Sequence, residues 1–339
     1  MTMHYPRNCW YVAAMSHEVG RSLLDRTILN EPVLLYRRED GSVAAIENRC
    51  SHRLVSLSLG TLVGDHVQCG YHGLRFDGDG ACVRIPAQDR IPPQACIRAY
   101  PVAERDGFVW IWPGQRNLAD LSLVPDFSEV CSSPRFAGRR ASTLPVQAPC
   151  LFNIENVLDL SHVSYAHEKT VGTPEVAETR PETEITETYV EVCRTLERSS
   201  ASPLYRRLFD WHEVRHTQSI RFWPGGNVRL NITIEPVGNT DPSQVRHLRV
   251  VGPCTPETDM THFKFSAMYR DFALEDTDVT ATIAEQFHKT ILEDKVLMED
   301  QQRNWHADGD GVRMIDLAVD RAPLAARRML RQLAEAEPQ

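Results

Sequence analysis

The sequence predicts two domains, an all-β domain over residues 1–115 and an α+β domain over 116–339, in which an antiparallel sheet is flanked by helices. Three observations carry this. Short apolar runs separated by Asp-Gly turns recur through the first 115 residues, the signature of hairpins. Pro113-Gly114 then breaks the pattern. Beyond that break, strand-like alternation is interleaved with long stretches of helical period, as an α+β layer requires.

In chain order, Met1 to Trp10 carries no charged-then-apolar leader and leads directly into a strand. Val33 to Tyr36 and Val43 to Ile46 flank Asp40-Gly41, a strong hairpin turn. The pattern repeats around Asp77-Gly78-Asp79-Gly80, and again at Asp106-Gly107 ahead of Phe108 to Trp112. Leu118 to Ser133 reads as loop, with Pro125 and two adjacent serines, so the boundary falls near residue 116. Leu151 to His167 reads as helix, Ile185 to Leu196 and Gln218 to Val237 as strands, and Asp276 to His306 as a long proline-free helix. A last helix starts near Asp320, with Pro323 in its first turn and Arg327, Arg328 and Arg331 further along. No internal repeat or low-complexity tract interrupts this order.

Composition excludes several classes of function. With 42% hydrophobic and 24% charged residues and a mean hydropathy of −0.35, the chain reads as soluble and globular. No apolar run reaches the roughly eighteen residues that a membrane span needs. A net charge of −9 gives no nucleic-acid footprint. The nine cysteines are an odd number and widely spread, which argues against a secreted disulfide scaffold and for a reducing cytoplasm.

Four residues stand apart. Cys50-Ser-His52 and Cys69-Gly-Tyr-His72 are separated by sixteen residues, on loops between the predicted hairpins. A zinc finger also uses two Cys and two His, but pairs like with like. Here each arm brings one of each, which suits a 2Fe–2S cluster whose two irons need different ligands, a Rieske centre. The seven other cysteines read as buried, inert thiols.

A second metal site is indicated further on. Asn156, Asp159 and His162 recur every three residues along one helix stripe, with Glu155 beside it. No Lys or Arg lies between Arg140 and Lys169 to neutralise these carboxylates. His162 and His167 sit five apart, roughly 140° around an ideal helix, so the helix must end or bulge between them to let both meet one metal. In the long later helix, Val279, Ile283, Phe287 and Ile291 step by four, and steps of three and four lead on to Asp294 and Met298. Asp294 therefore takes a core-facing position, where a carboxylate needs a salt bridge, to Lys295 or a distant Arg, or a metal. Two His and one carboxylate match the facial triad of non-haem Fe(II) oxygenases.

Arg7-Asn-Cys-Trp-Tyr-Val-Ala-Ala14, Cys50-Ser-His-Arg53, Cys69-Gly-Tyr-His-Gly-Leu74, Glu104 to Gly114, Glu293-Asp294 and Met298-Glu299 together resemble the Rieske non-haem iron oxygenases. The resemblance is closest to the oxygenase components of vanillate O-demethylase, dicamba O-demethylase and toluenesulfonate methyl-monooxygenase, and is weakest between about Thr170 and Arg246. It implies that Cys50 and Cys69 hold one cluster iron and His52 and His72 the other, and that His162, His167 and Asp294 hold a mononuclear Fe(II). It further implies that Asp159 bridges a cluster His of a neighbouring subunit to His162 in a head-to-tail homotrimer, and that Asn156 lies beside the iron. Ser51 and Gly70 stand where many relatives have Pro.

The chain has no G-x-G-x-x-G, so electrons are expected from a separate NAD(P)H-dependent reductase, with or without a ferredoxin. The expected function is the terminal oxygenase of a multicomponent monooxygenase that uses O2 to hydroxylate or O-demethylate a small substituted aromatic acid, a step of aromatic catabolism. Two alternatives stand beside it: a ring dioxygenase forming a cis-diol, and an electron-transfer Rieske protein without catalysis. Asn231, His247, His262, Phe287 and His288 are candidate pocket residues.

Overall fold

The structure is a computed structural model describing residues 4–140, 143–308 and 314–338. The first part contains ten strands. These are β1 Tyr11–Met15, β2 Leu24–Ile28, β3 Glu31–Arg37, β4 Val43–Glu47, β5 Thr61–Val63, β6 His66–Gln68, β7 Arg75–Phe76, β8 Cys82–Arg84, β9 Val102–Arg105 and β10 Phe108–Ile111. They form small antiparallel sheets ordered β2-β3-β4, β5-β6-β7-β8 and β1-β10-β9. The Asp-Gly signals lie where strands turn. Asp106 and Gly107 both take positive φ (58° and 82°), the two-residue turn that matches strand twist, and Phe108 pairs directly with Arg105.

Every residue of β1 and β10 is buried, because their sheet is covered on both faces. Tyr11, Ala13, Val109 and Ile111 face Val33 and Leu35 of β3. Trp10, Val12, Phe108, Trp110 and Trp112 face Val251, Phe263 and Phe265 of the second part. Burying one such large side chain contributes roughly 2–3 kcal/mol, so this seam anchors one part to the other. Hydrogen bonds cross it as well, among them the Thr255 hydroxyl to the Val12 carbonyl at 2.7 Å and Leu29 N–H to the Pro256 carbonyl at 2.9 Å.

The second part begins with a one-turn helix α1 (Ser128–Cys131) in the segment expected to be loop. Its strands are β11 Ala137–Arg140, β12 Leu144–Val146, β13 Glu182–Ile185, β14 Val190–Ser200, β15 Glu213–Trp223, β16 Asn227–Pro236, β17 Arg246–Val251, β18 Cys254–Pro256, β19 His262–Lys264 and β20 Ala267–Arg270. Seven form one antiparallel sheet in the order β11-β20-β17-β16-β15-β14-β13, and β12-β19-β18 make a small second one. The expected strand over Ile185–Leu196 covers the end of β13, its turn and most of β14, and the expected strand over Gln218–Val237 is corrected to the second half of β15, a turn and β16, so each region holds parts of two paired strands. The short strands β17–β20 and the short helices α4 (Pro174–Glu178) and α5 (Pro203–Phe209) have too few residues to display a period.

The three helices that matter for function are α2 (Cys150–Leu158), α6 (Thr277–Asp308) and α7 (Arg321–Glu335), with the one-turn α3 (Val163–Ala166) after α2. Here the expected single helix over 151–167 is corrected. The helix ends at Leu158, before His162 and not between the two histidines, because Asp159 adopts extended backbone (φ −91°, ψ 102°). Its carboxylate is held by the Ser161 N–H at 2.7 Å and hydroxyl at 2.6 Å, a local bond that competes with helix continuation. Ile154 and Leu158 of α2 pack between the sheet and Ala322, Ala325, Ala326, Met329 and Leu330 of α7, a stripe at helical spacing. That docking supplies the cation absent from the local sequence: Arg327 Nε donates to Glu155 at 2.6 Å. Phe152 of α2 meets Met298 and Trp305 of α6. The expectation of seven buried cysteines is also corrected, since Cys96 is exposed and Cys131 and Cys193 are half-buried.

Candidate metal centres

The two cluster arms are built alike. Cys50 and His52 follow β4, and Cys69 and His72 join β6 to β7. In each loop the cysteine N–H donates to the carbonyl five residues on (Val55 at 2.9 Å, Leu74 at 2.8 Å), and its carbonyl accepts from the N–H four residues on (Leu54 at 2.9 Å, Gly73 at 3.1 Å). The closing residue has positive φ both times, 59° at Leu54 and 72° at Gly73. Glycine takes that conformation freely, whereas Leu54 is strained and is held by the loop around it. Both thiols are 2% exposed, while His52 and His72 stand exposed with ring centroids 4.7 Å apart. Burial pushes the Cys50 thiol up, against the lowering effect of the His52 backbone N–H. A thiolate there needs a metal to neutralise it. Two buried sulfurs beneath two outward imidazoles fit a cluster with one thiolate-bound and one imidazole-bound iron.

The second centre gathers His162, His167 and Asp294, whose ligand atoms all lie within 4.8 Å of one another. His162 and His167 stand at the two ends of α3, which brings their rings to a centroid distance of 5.1 Å although they are five residues apart. Each ring is oriented through Nδ1. His162 Nδ1 meets the backbone carbonyl of Asp159, and His167 Nδ1 meets Glu293 Oε2 at 2.8 Å. With Nδ1–H donating there, Nε2 of both rings is free to ligate, the usual way an outer partner sets a histidine tautomer. Asp294 Oδ1 lies 3.5 Å from His162 Nε2 and 3.1 Å from His167 Nε2. Metal–ligand bonds of about 2.1 Å place cis ligands about 3 Å apart, so these separations fit one face of an octahedron.

Burial pushes the Asp294 carboxyl up, but hydrogen bonds to His162 and His167 outweigh it and hold the group far below the usual carboxylate range. For His167 burial works downward, and the bonds to Asp294 and Glu293 reverse the sign and raise it. Lys295, the competing salt-bridge partner for Asp294, pairs with Glu299 instead.

Asn156 Nδ2 donates to Asp294 Oδ1 at 3.1 Å and so orients the carboxylate. Asp159 reaches His162 through its backbone carbonyl, while its side chain, half-buried and held on one oxygen by Ser161, takes no part in the triad's hydrogen bonds. Glu293, whose positioning role the sequence did not reveal, is adjacent to Asp294 on α6 and also accepts from Thr170 Oγ1 at 3.0 Å.

A cavity of about 130 Å³ opens beside the triad, with apolar walls that include Leu160, Ile220, Leu230, Val250 and Phe287. Phe287 is the one expected pocket residue that lines it. Asn231 bonds to Ser219, His247 Nδ1 pairs with Asp271 at 2.6 Å, and His262 lies buried against the Ala148 carbonyl at 2.7 Å, where burial pulls it down to about 4. His288 lines a neighbouring cavity. The cavity's polar residues include Asn153, Gln218, Lys264 and Ser266, none of which the sequence singled out. One signal was present. In Phe263-Lys264-Phe265 the phenylalanines join the core, and alternation sends Lys264 to the opposite face.

The chain matches two family models, the Rieske [2Fe-2S] domain over residues 9–101 and the vanillate O-demethylase oxygenase C-terminal domain over 146–336. It is 34% identical to the iron-sulfur subunit of the toluene-4-sulfonate monooxygenase system of Comamonas testosteroni, over 98% of this chain and 97% of that protein. It is 32% identical to the vanillate O-demethylase oxygenase subunit of a Pseudomonas species, over 98% of this chain and 96% of that one. Among solved structures, dicamba monooxygenase bound to 3,6-dichlorosalicylic acid superposes with a TM-score of 0.91 at 31% identity, covering 97% of both chains. With models matching in both halves and relatives aligned end to end, the chain belongs to the Rieske non-haem iron oxygenases, as an oxygenase component of the multicomponent monooxygenase type.

Proposed function

We propose that this oxygenase inserts one atom of O2 into a C–H bond of a small substituted aromatic acid, with O-demethylation or methyl hydroxylation as the outcome. The observation that carries the reading is the apolar cavity on the open side of His162, His167 and Asp294. In this reading Cys50, His52, Cys69 and His72 hold the 2Fe–2S cluster, and His162, His167 and Asp294 hold one Fe(II). When bound, these groups supply the electron delivery and dioxygen activation that C–H hydroxylation requires.

The chain's own residues do the rest. Leu160, Ile220, Leu230, Val250 and Phe287 clasp the aromatic ring and exclude water. Asn156 and Glu293 hold Asp294 and His167 in their ligating orientations. In this reading Asp159, half-buried and held on one carboxylate oxygen by Ser161, contacts a cluster histidine of the neighbouring subunit in a head-to-tail homotrimer. A hydroxylated O-methyl group is a hemiacetal and collapses to the phenol and formaldehyde, whereas a hydroxylated ring methyl stops at the benzylic alcohol. The absence of a dinucleotide fingerprint supports a separate NAD(P)H-dependent reductase, with or without a ferredoxin.

The relatives are named for monooxygenation and demethylation, which favours these outcomes over ring cis-dihydroxylation. The second metal site argues against a role as electron carrier alone. No helix among the described residues is long and apolar enough to cross a membrane, and none of the nine cysteines is in a disulfide; a cytoplasmic location accords with both. We place the domain boundary near residue 116.

The test is NADH-linked O2 consumption with a compatible reductase over methoxylated, methylated and sulfonated aromatic acids. Stoichiometric formaldehyde or benzylic alcohol is expected, and a cis-diol as sole product would overturn the monooxygenase reading.

A further inference from the structure

We propose that Lys264, together with Asn153, forms an anion-binding corner of the cavity that takes the acid group of the substrate. The inference rests on the aromatic-acid reading above and names the residues that select for it.

Lys264, the last residue of β19, is 9% exposed and lines the same cavity as His162, His167 and Asp294. Its ammonium has three donors, and one is used, in a long bond of 3.3 Å to the Gly252 carbonyl. Among the described residues it has no salt-bridge partner. Burial pulls the lysine down, opposed first by the neighbouring Cys254 thiol and then by Asp294, whose Oδ1 is already shared by His162, His167 and Asn156.

Asn153 lies one turn before Asn156 on α2, is 2% exposed and also lines the cavity, and its Nδ2 has no hydrogen-bond partner. Its neighbour able to accept is the Cys254 thiol, a weak acceptor that also attracts the Lys264 ammonium, so both donors lie beside Cys254 in the cavity wall. A buried ammonium without a salt bridge, near an amide donor that faces a thiol, in a largely apolar pocket, is costly unless a better acceptor arrives. A carboxylate or sulfonate has the charge and the oxygens to take both.

An approach route is present as well. A second cavity of about 590 Å³ shares Lys264, Ser266, Met268 and Ile291 with the first and adds the exposed Arg139. The carboxylate on its wall, Glu285, is paired with Lys289 at 2.8 Å, which leaves Arg139 and Lys264 to draw an anion inward.

The test is calorimetric titration of the holoenzyme with para-methoxybenzoate, para-methoxybenzenesulfonate and the neutral para-methoxybenzamide. Wild type is expected to bind an oxyanion roughly tenfold or more tighter than the amide, the size of a charge-assisted contact. Lys264→Met and Lys264→Gln are expected to bring that ratio close to one, with the cluster's visible absorption and the iron content unchanged. Should either variant lose the cluster, Asn153→Ala is expected to lower the same ratio by a smaller factor. A preference for the carboxylate or for the sulfonate supports the corner equally and tells the two acid groups apart. A ratio that survives in the lysine variants removes Lys264 from the role and leaves the aromatic-acid reading standing. A wild type that binds neither oxyanion better than the amide overturns both.

Discussion

His167 gathers much of the site's logic into one side chain. It is 1% exposed, takes Glu293 on one ring nitrogen and turns the other to Asp294. Both histidines of the triad are oriented by an acceptor on Nδ1, one a side chain and one a backbone carbonyl, which turns Nε2 of each toward Asp294. Asp294 was legible in the sequence because a carboxylate broke an apolar stripe of α6, whereas Glu293 was not, since an acid beside an acid on a helix signals nothing about direction. Asp294→Ala is expected to lose about one iron per subunit while the cluster's visible spectrum persists, because the facial set loses its only anionic ligand. Metal analysis that still finds the full iron complement would place the third ligand elsewhere.

At the scale of elements, the decisive event is the end of α2 at Leu158. A helix continued to residue 167 would point His162 and His167 in different directions, and the extended step at Asp159 followed by the single turn of α3 removes that conflict. What keeps α2 in place is α7, through a stripe of small apolar residues and the Arg327–Glu155 pair. Burial pushes the Glu155 carboxyl up, and Arg327 opposes that rise. Arg327→Ala is expected to cost about 3 kcal/mol in urea unfolding, the penalty for stranding a buried carboxylate. Glu155 then holds its proton more tightly folded than unfolded. Stability therefore falls as pH rises from the ordinary carboxylate range through the folded value, and the deficit should be larger at neutral than at mildly acidic pH. An equal deficit at both would show that the arginine acts by packing alone.

At the scale of the whole molecule, the two parts are joined by the Trp10, Trp110 and Trp112 seam, yet the imidazoles of His52 and His72 face outward. The proposed trimer gives that exposure a purpose and makes a sharp prediction. Asp159→Asn alone should keep both metals and lose turnover, and a variant without the cluster, Cys69→Ala, should lose turnover as well, although its Asp159 is intact. Co-assembled in one trimer, the two should regain turnover, because an intact cluster on one subunit then faces an intact Asp159 on the next. Activity no greater than the sum of the separate variants would mean that the two centres work within one chain.

What the sequence by itself determined is the chemistry. Ligand type and spacing are local properties, and the Cys/His arms, the two histidines after Asn156 and the carboxylate in an apolar stripe could each be read from their neighbours in the chain. The hairpins of the first part were equally legible, because their turns need positive φ and Gly41, Gly80 and Asp106-Gly107 supply it locally. Only the tertiary structure decided where α2 stops, which cation neutralises Glu155, and which side chains enclose the cavity. Arg327 is 172 residues from Glu155, and Asn153 and Lys264 come to line one cavity from a helix and a strand whose separation in sequence carries no periodic trace. Contacts of that kind follow from packing of distant surfaces, which no local pattern in the chain records.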